Sequence, residues 1–127
     1  MNALENYTIE FHLETPPKLL FKFISTPEGL SRWFAQTNLV GDNIFVFQWP
    51  DNNQKAKVLQ LKESELVVFQ WLDDYHQGHK LELRIITEPG SAGSTLIISD
   101  VAEAGDVDFS KRLWVTQLGQ LKRLFKS

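Results

Sequence analysis

Five consecutive stretches of alternating apolar and polar residues, closed by one amphipathic helical repeat, constrain this chain more than any other feature. The stretches are residues 44–49, 55–61, 65–72, 80–87 and 94–101, separated by Gly, Asn, Asp or Pro except for Lys62-Glu63-Ser64 between the second and third. Strands that follow one another at such short range pair with their neighbours, so the pattern predicts an antiparallel meander. Behind them Trp114, Leu118, Leu121 and Phe125 recur at helical spacing across residues 109–125, leaving Lys111, Arg112, Lys122 and Arg123 for the other side. Asp106 and Asp108 stand at the start of this helix, and Arg123 and Lys126 near its end, matching the helix dipole at both ends.

The first quarter of the chain supplies the remaining parts. Tyr7, Ile9, Phe11 and Leu13 alternate with Thr8, Glu10 and His12, the pattern of a half-buried strand. Thr15 is placed to cap a helix that opens on Pro16 and Pro17 and carries Leu19, Leu20, Phe23 and Ile24 on one face. Pro27 disfavours helix at Thr26 yet suits a first helical position, so a second helix starts there, with Leu30, Trp33 and Phe34 as its apolar side. One strand, two short helices, at least five further strands and a long helix make an α+β order, in which the helix covers one face of a curved sheet. A curved sheet cannot touch a straight helix along its whole length, and a cleft is expected between them.

Composition narrows the function classes. At 127 residues the chain has room for one core, so residues 1–127 are read as a single domain. There is no cysteine, which rules out disulfides, thiolate metal sites and a cysteine nucleophile, and a cytoplasmic location fits best. The first ten residues lack a basic stretch followed by an apolar one, and no apolar run approaches the roughly 20 residues of a membrane span. A net charge of −3 opposes binding to phosphate backbones, so neither nucleic acid nor membrane is expected as a partner. Nine Phe and four Trp are more large rings than a domain of this size needs to fill its interior.

The segment from His12 to Phe34, with Thr26-Pro27-Glu28-Gly29-Leu30 followed by Trp33-Phe34, resembles the opening of START-like domains, in particular those akin to the heat-shock-protein-90 ATPase activator. The resemblance continues through Phe45, Phe47 and Trp49, through Val67-Val68-Phe69-Gln70-Trp71, through Ser94-Thr95-Leu96, and through Trp114, Leu118 and Leu121. It implies a helix-grip fold with an internal apolar cavity. It also implies relatives ranging from lipid carriers, cyclases and small-molecule sensors to co-chaperones, so fold does not select function. The short loops and short closing helix set this chain among the smaller members.

Alternation puts Phe45, Phe47 and Trp49 on one face of a strand, and Val67, Phe69 and Trp71 on one face of another. The functional reading is a ligand cavity lined by Trp33, Phe47, Phe69, Trp71, Trp114, Leu118 and Leu121; the competing reading is an ordinary core. Asp100 shares its strand face with Leu96 and Ile98 and is the polar residue expected at the cavity. Lys80, Glu82 and Arg84 oppose Leu81, Leu83 and Ile85, and His12 opposes Phe11 and Leu13, so both sets point to solvent. Asp73, Asp74, His76 and His79 are chemically sufficient for zinc, but a turn around Gly78 explains the same letters and no established motif has this spacing, so no metal or other cofactor is expected.

The leading expectation is non-enzymatic binding of a small apolar or amphipathic ligand. One alternative is a protein-interaction module resembling the ATPase activator. Another is a cyclase- or hydrolase-like enzyme, which would require Asp100 or Glu82 to face inward. The open edges of a small sheet also admit a homodimer.

Overall fold

The computed structural model describes residues 3–125. The chain runs β1 (Leu4–Leu13), α1 (Pro17–Ser25), α2 (Pro27–Leu30), β2 (Gln36–Val40), β3 (Ile44–Gln48), β4 (Asn53–Lys62), β5 (Leu66–Trp71), β6 (Lys80–Thr87), β7 (Ser94–Glu103), a 3-10 turn (Ala104–Asp106) and α3 (Val107–Leu124). All seven strands form one antiparallel sheet in the order β1-β7-β6-β5-β4-β3-β2. This is the α+β helix-grip arrangement, with β1 joined to β7 so that the start and the end of the strand region are neighbours.

The alternation seen in the sequence is what buries one sheet face. Leu81, Leu83 and Ile85 of β6 and Leu96 and Ile98 of β7 are buried, while Glu82 and Arg84 face outward and meet each other at 3.2 Å. Phe47, Phe69 and Val67 are buried from the neighbouring strands. Between Val58 and Gln60 the β4–β5 register slips at a bulge, which sharpens the local twist and helps curl the sheet. Across the concave face lies α3, whose Trp114, Leu118 and Leu121 are buried; each leucine contributes about 1.5–3 kcal/mol by leaving water. No helix among the described residues is long and apolar enough to cross a membrane.

Three local expectations are corrected. Strand β2 is an additional strand: among Gln36, Thr37, Asn38, Leu39 and Val40 only Thr37 is buried, so this edge strand shows no apolar alternation. Helix α2 ends at Leu30, and the chain continues as a hydrogen-bonded turn in which the Phe34 N–H reaches the Leu30 carbonyl at 2.8 Å. Thr15 does not cap α1. The capping position is Pro16, with no side-chain bond, and the Thr15 hydroxyl is buried without a partner. Thr26 caps α2 instead, accepting the Gly29 N–H at 3.0 Å. Lys126, expected near the end of the last helix, lies outside the described residues.

Candidate functional site

Because α3 meets the sheet closely only along part of its length, a cavity of about 490 Å³ opens under its N-terminal half. Its other walls are the β3–β4 turn at Trp49 and Asn52, the β5–β6 loop at Tyr75 and His76, and the end of β7 at Asp100 and Val101. The volume falls within the range of sites for small organic molecules.

Stacked rings form one wall. Phe34 lies parallel to Trp114, with 5.0 Å between centroids and 15° between planes, and meets Trp49 edge-on at 5.1 Å. The Trp49 indole N–H donates to Gln54 at 2.7 Å, and Gln117 of α3 donates to the Phe34 carbonyl at 3.2 Å, so the wall is fixed at both ends. Deeper in the site the Trp71 ring stacks on His76 at 4.5 Å and 20°. His76 Nδ1 is 2.8 Å from Asp73, a pairing that holds the loop against Trp71.

Polar groups are concentrated at the floor. Asp100, only 6% exposed, accepts the Trp71 indole N–H at 2.9 Å and the Tyr7 hydroxyl at 3.4 Å. Tyr7 in turn accepts the Trp114 indole N–H at 3.0 Å. The β1–β7 register sets Tyr7 directly opposite Asp100, so β1, β5, β7 and α3 each supply one member of this network. Burial holds the Asp100 carboxyl above the ordinary carboxylate range, partly opposed by the Trp71 N–H. Burial, then the charge of Asp100, raises Tyr7 well above the usual phenol range, so it stays a neutral donor. At the rim Tyr75 accepts the Glu103 backbone N–H at 3.0 Å and donates to Asp106 at 2.9 Å. Burial raises its pKa too.

Of the residues expected to line a cavity, Trp71, Trp114 and Asp100 face this one. Trp33, Phe47, Phe69, Leu118 and Leu121 lie in the closed core instead. Trp33 is held there by its N–H to the Phe23 carbonyl at 2.8 Å, and Leu118 and Leu121 sit further along α3, where helix and sheet meet with no space between them. Sequence reasoning missed Tyr7, Phe34 and His76 as wall residues, and it set Trp49 on the aromatic strand face without counting it among the cavity residues. Tyr7 could be linked to Asp100 only through the register of β1 on β7. Inward-facing Asp100 meets one condition of the enzymatic alternative; Glu82, paired with Arg84 on the outer face, does not. His12 sits on the exposed flank, 2.7 Å from both Glu14 and Glu88, whose hydrogen bonds raise its pKa. Among the described residues no group of three or more His, Asp or Glu is arranged to hold a metal ion.

The raised carboxyl gives a signed expectation. The folded state binds the Asp100 proton more tightly than the unfolded chain does. The associated stability is therefore fully present below the unfolded value near 4 and is lost as pH rises through the folded one. Asp100→Asn keeps an acceptor for Trp71 and has no charge to desolvate. Thermal melts from pH 4 to 7 should show the variant above the parent at pH 7, with the gap closing toward pH 4. A variant less stable at pH 7 would mean that the ionised carboxylate is a net stabiliser.

Comparisons with known proteins agree with this architecture. No curated protein matches the sequence. Among solved structures, the Aha1 dimer from Colwellia psychrerythraea superposes with a TM-score of 0.80 at 17% identity, over 93% of each chain. A Bacillus halodurans protein gives 0.78 at 20% identity, over 99% of this chain and 100% of its own. A Bacteroides fragilis protein gives 0.64 at 28% identity, over 98% of this chain and 92% of its own. The model of the START-like superfamily domain matches residues 1–126, and the chain belongs to that superfamily.

Proposed function

We propose that the protein binds a small amphipathic molecule with a ring-sized apolar body in the cleft between the N-terminal half of α3 and the sheet. The observation that carries this reading is the combination of a stacked aromatic wall, Phe34, Trp49 and Trp114, with one buried polar anchor, Asp100, at the floor of a 490 Å³ space. Flat rings present broad apolar surface that loses little conformational freedom on binding, and a single polar group fixes orientation. Exposed Phe109 and Leu113 on the same stretch of α3 extend the apolar surface to the mouth. Membership of a superfamily whose folds enclose apolar cavities supports the same reading.

The four tryptophans provide the test, because three line the cleft and one does not. In a nitrogen–proton correlation spectrum, titration with 3-ethylindole should shift the indole N–H signals of Trp49, Trp71 and Trp114, while that of Trp33, bonded to Phe23 in the core, moves least. Equal shifts of all four, or none, would remove the cleft as the binding site. Native mass spectrometry of freshly purified protein adds an independent readout, since a discrete added mass would report a resident ligand.

A further inference from the structure

Resting on the cleft reading above, we infer that the site selects an organic cation, an amine or ammonium carried on a ring-sized apolar body, over neutral and anionic molecules of the same shape. The charges around the cavity are one-sided. Its lining includes the carboxylates of Asp100 and Asp106 and contains no Lys or Arg. His76 is paired with Asp73, whose carboxylate stands 2.8 Å from its Nδ1, so the pair brings no net positive charge to the cavity. The N-terminus of α3 brings partial positive charge to the same region, but Asp106 and Asp108 occupy that end and offset it. A bound carboxylate or phosphate would therefore meet like charge with no basic side chain to receive it.

Aromatic faces strengthen the selection. The rings of Phe34, Trp49, Trp71 and Trp114 surround the space, and a cation over an indole or phenyl face is attracted by the ring quadrupole, most strongly to Trp and where water is excluded. Asp100 adds a second, independent attraction. Trp71 donates to it closely and Tyr7 at longer range, the Val101 backbone N–H and the Trp114 side chain also favour its charged form, and the carboxylate is almost wholly withdrawn from water, where its charge acts with little screening. An ammonium group nearby would supply a full opposite charge where the lining offers no Lys or Arg and only His76, itself paired with Asp73, as a base.

Three indoles with a common ring separate charge from shape: tryptamine is cationic, 3-ethylindole neutral and indole-3-propionate anionic. Titrations at low ionic strength, read at the Trp49, Trp71 and Trp114 signals, should show tryptamine binding at least about tenfold tighter than 3-ethylindole, with indole-3-propionate weakest. Asp100→Asn and Asp106→Asn, each confirmed folded by its spectrum, should each reduce the ratio of tryptamine to 3-ethylindole affinity. Equal binding of the three indoles would overturn the charge selection and leave the cleft reading standing. The same holds for a preference that survives in both variants. Binding by none of them would overturn both.

Discussion

Gly29→Ala should leave little folded protein. A methyl group built on Gly29 would lie 2.1 Å from the Lys22 carbonyl oxygen, 2.6 Å from the Phe23 Cα and 2.9 Å from the Lys22 carbonyl carbon, all of them backbone atoms of α1. No rotamer change relieves such contacts, so α2 would have to withdraw from α1. That movement would disturb the Thr26 cap on the Gly29 N–H and the Trp33 bond to the Phe23 carbonyl, and with them the approach of Phe34 to the cleft wall. The clash and the lost bonds together should cost more than about 3 kcal/mol, a large share of the roughly 5–15 kcal/mol that holds a typical domain folded. Urea unfolding gives the number directly. A midpoint within experimental error of the parent would show that the two helices can separate freely, and the tight α1–α2 junction would lose its assigned role.

The second large effect is expected at Trp71. Trp71→Ala removes a ring that is 2% exposed, stacked on His76 and in edge contact with Phe47 at 5.9 Å, and it takes from Asp100 its closest side-chain donor. Cavity formation alone should destabilise the fold by about 3–5 kcal/mol, and an underpaired buried carboxylate adds to that. Trp71→Phe keeps a six-membered ring, losing the N–H donor and part of the ring volume, so the lost hydrogen bond contributes about 1–3 kcal/mol on top of a smaller cavity cost than alanine leaves. Guanidinium unfolding of the two variants at pH 7 separates these contributions. A phenylalanine variant as stable as the parent would mean that neither the indole–carboxylate contact nor the lost ring volume contributes, and the floor network would then rest on Tyr7 and Trp114.

These two residues also show where sequence reasoning succeeds and where it stops. Trp71 could be assigned to the inner face of its strand because a period of two fixes the side-chain direction once the neighbours Val67 and Phe69 are seen to be apolar. The same rule placed Asp100 inward with Leu96 and Ile98. The rule does not reveal whether an inward residue meets another side chain or open space. Phe69 and Trp71 are equivalent in pattern, yet one is sealed in the core and the other borders the cavity, because the difference depends on where along α3 the helix leaves the sheet. Gly29 was legible as part of a family-like segment, but its reason, an approach of one backbone to another, appears only when α1 and α2 are placed together. Strand β2 was missed for a plainer cause: at the sheet edge its backbone bonds to β3 suffice, and only Thr37 needs burial.

The pairing of β1 with β7 has a consequence for biosynthesis. Tyr7 and Asp100 are 93 positions apart in the chain, and the third member of their network, Trp114, comes later still. A ribosome therefore releases the helices and the middle strands long before β7 exists to receive β1, and the first strand must wait with one edge unsatisfied. Such long-range closure is entropically demanding and is the step most exposed to competing pairings with other nascent chains. The floor of the cleft is thus among the last parts of the molecule to form, and its ability to hold a small molecule would report that synthesis and folding have both been completed.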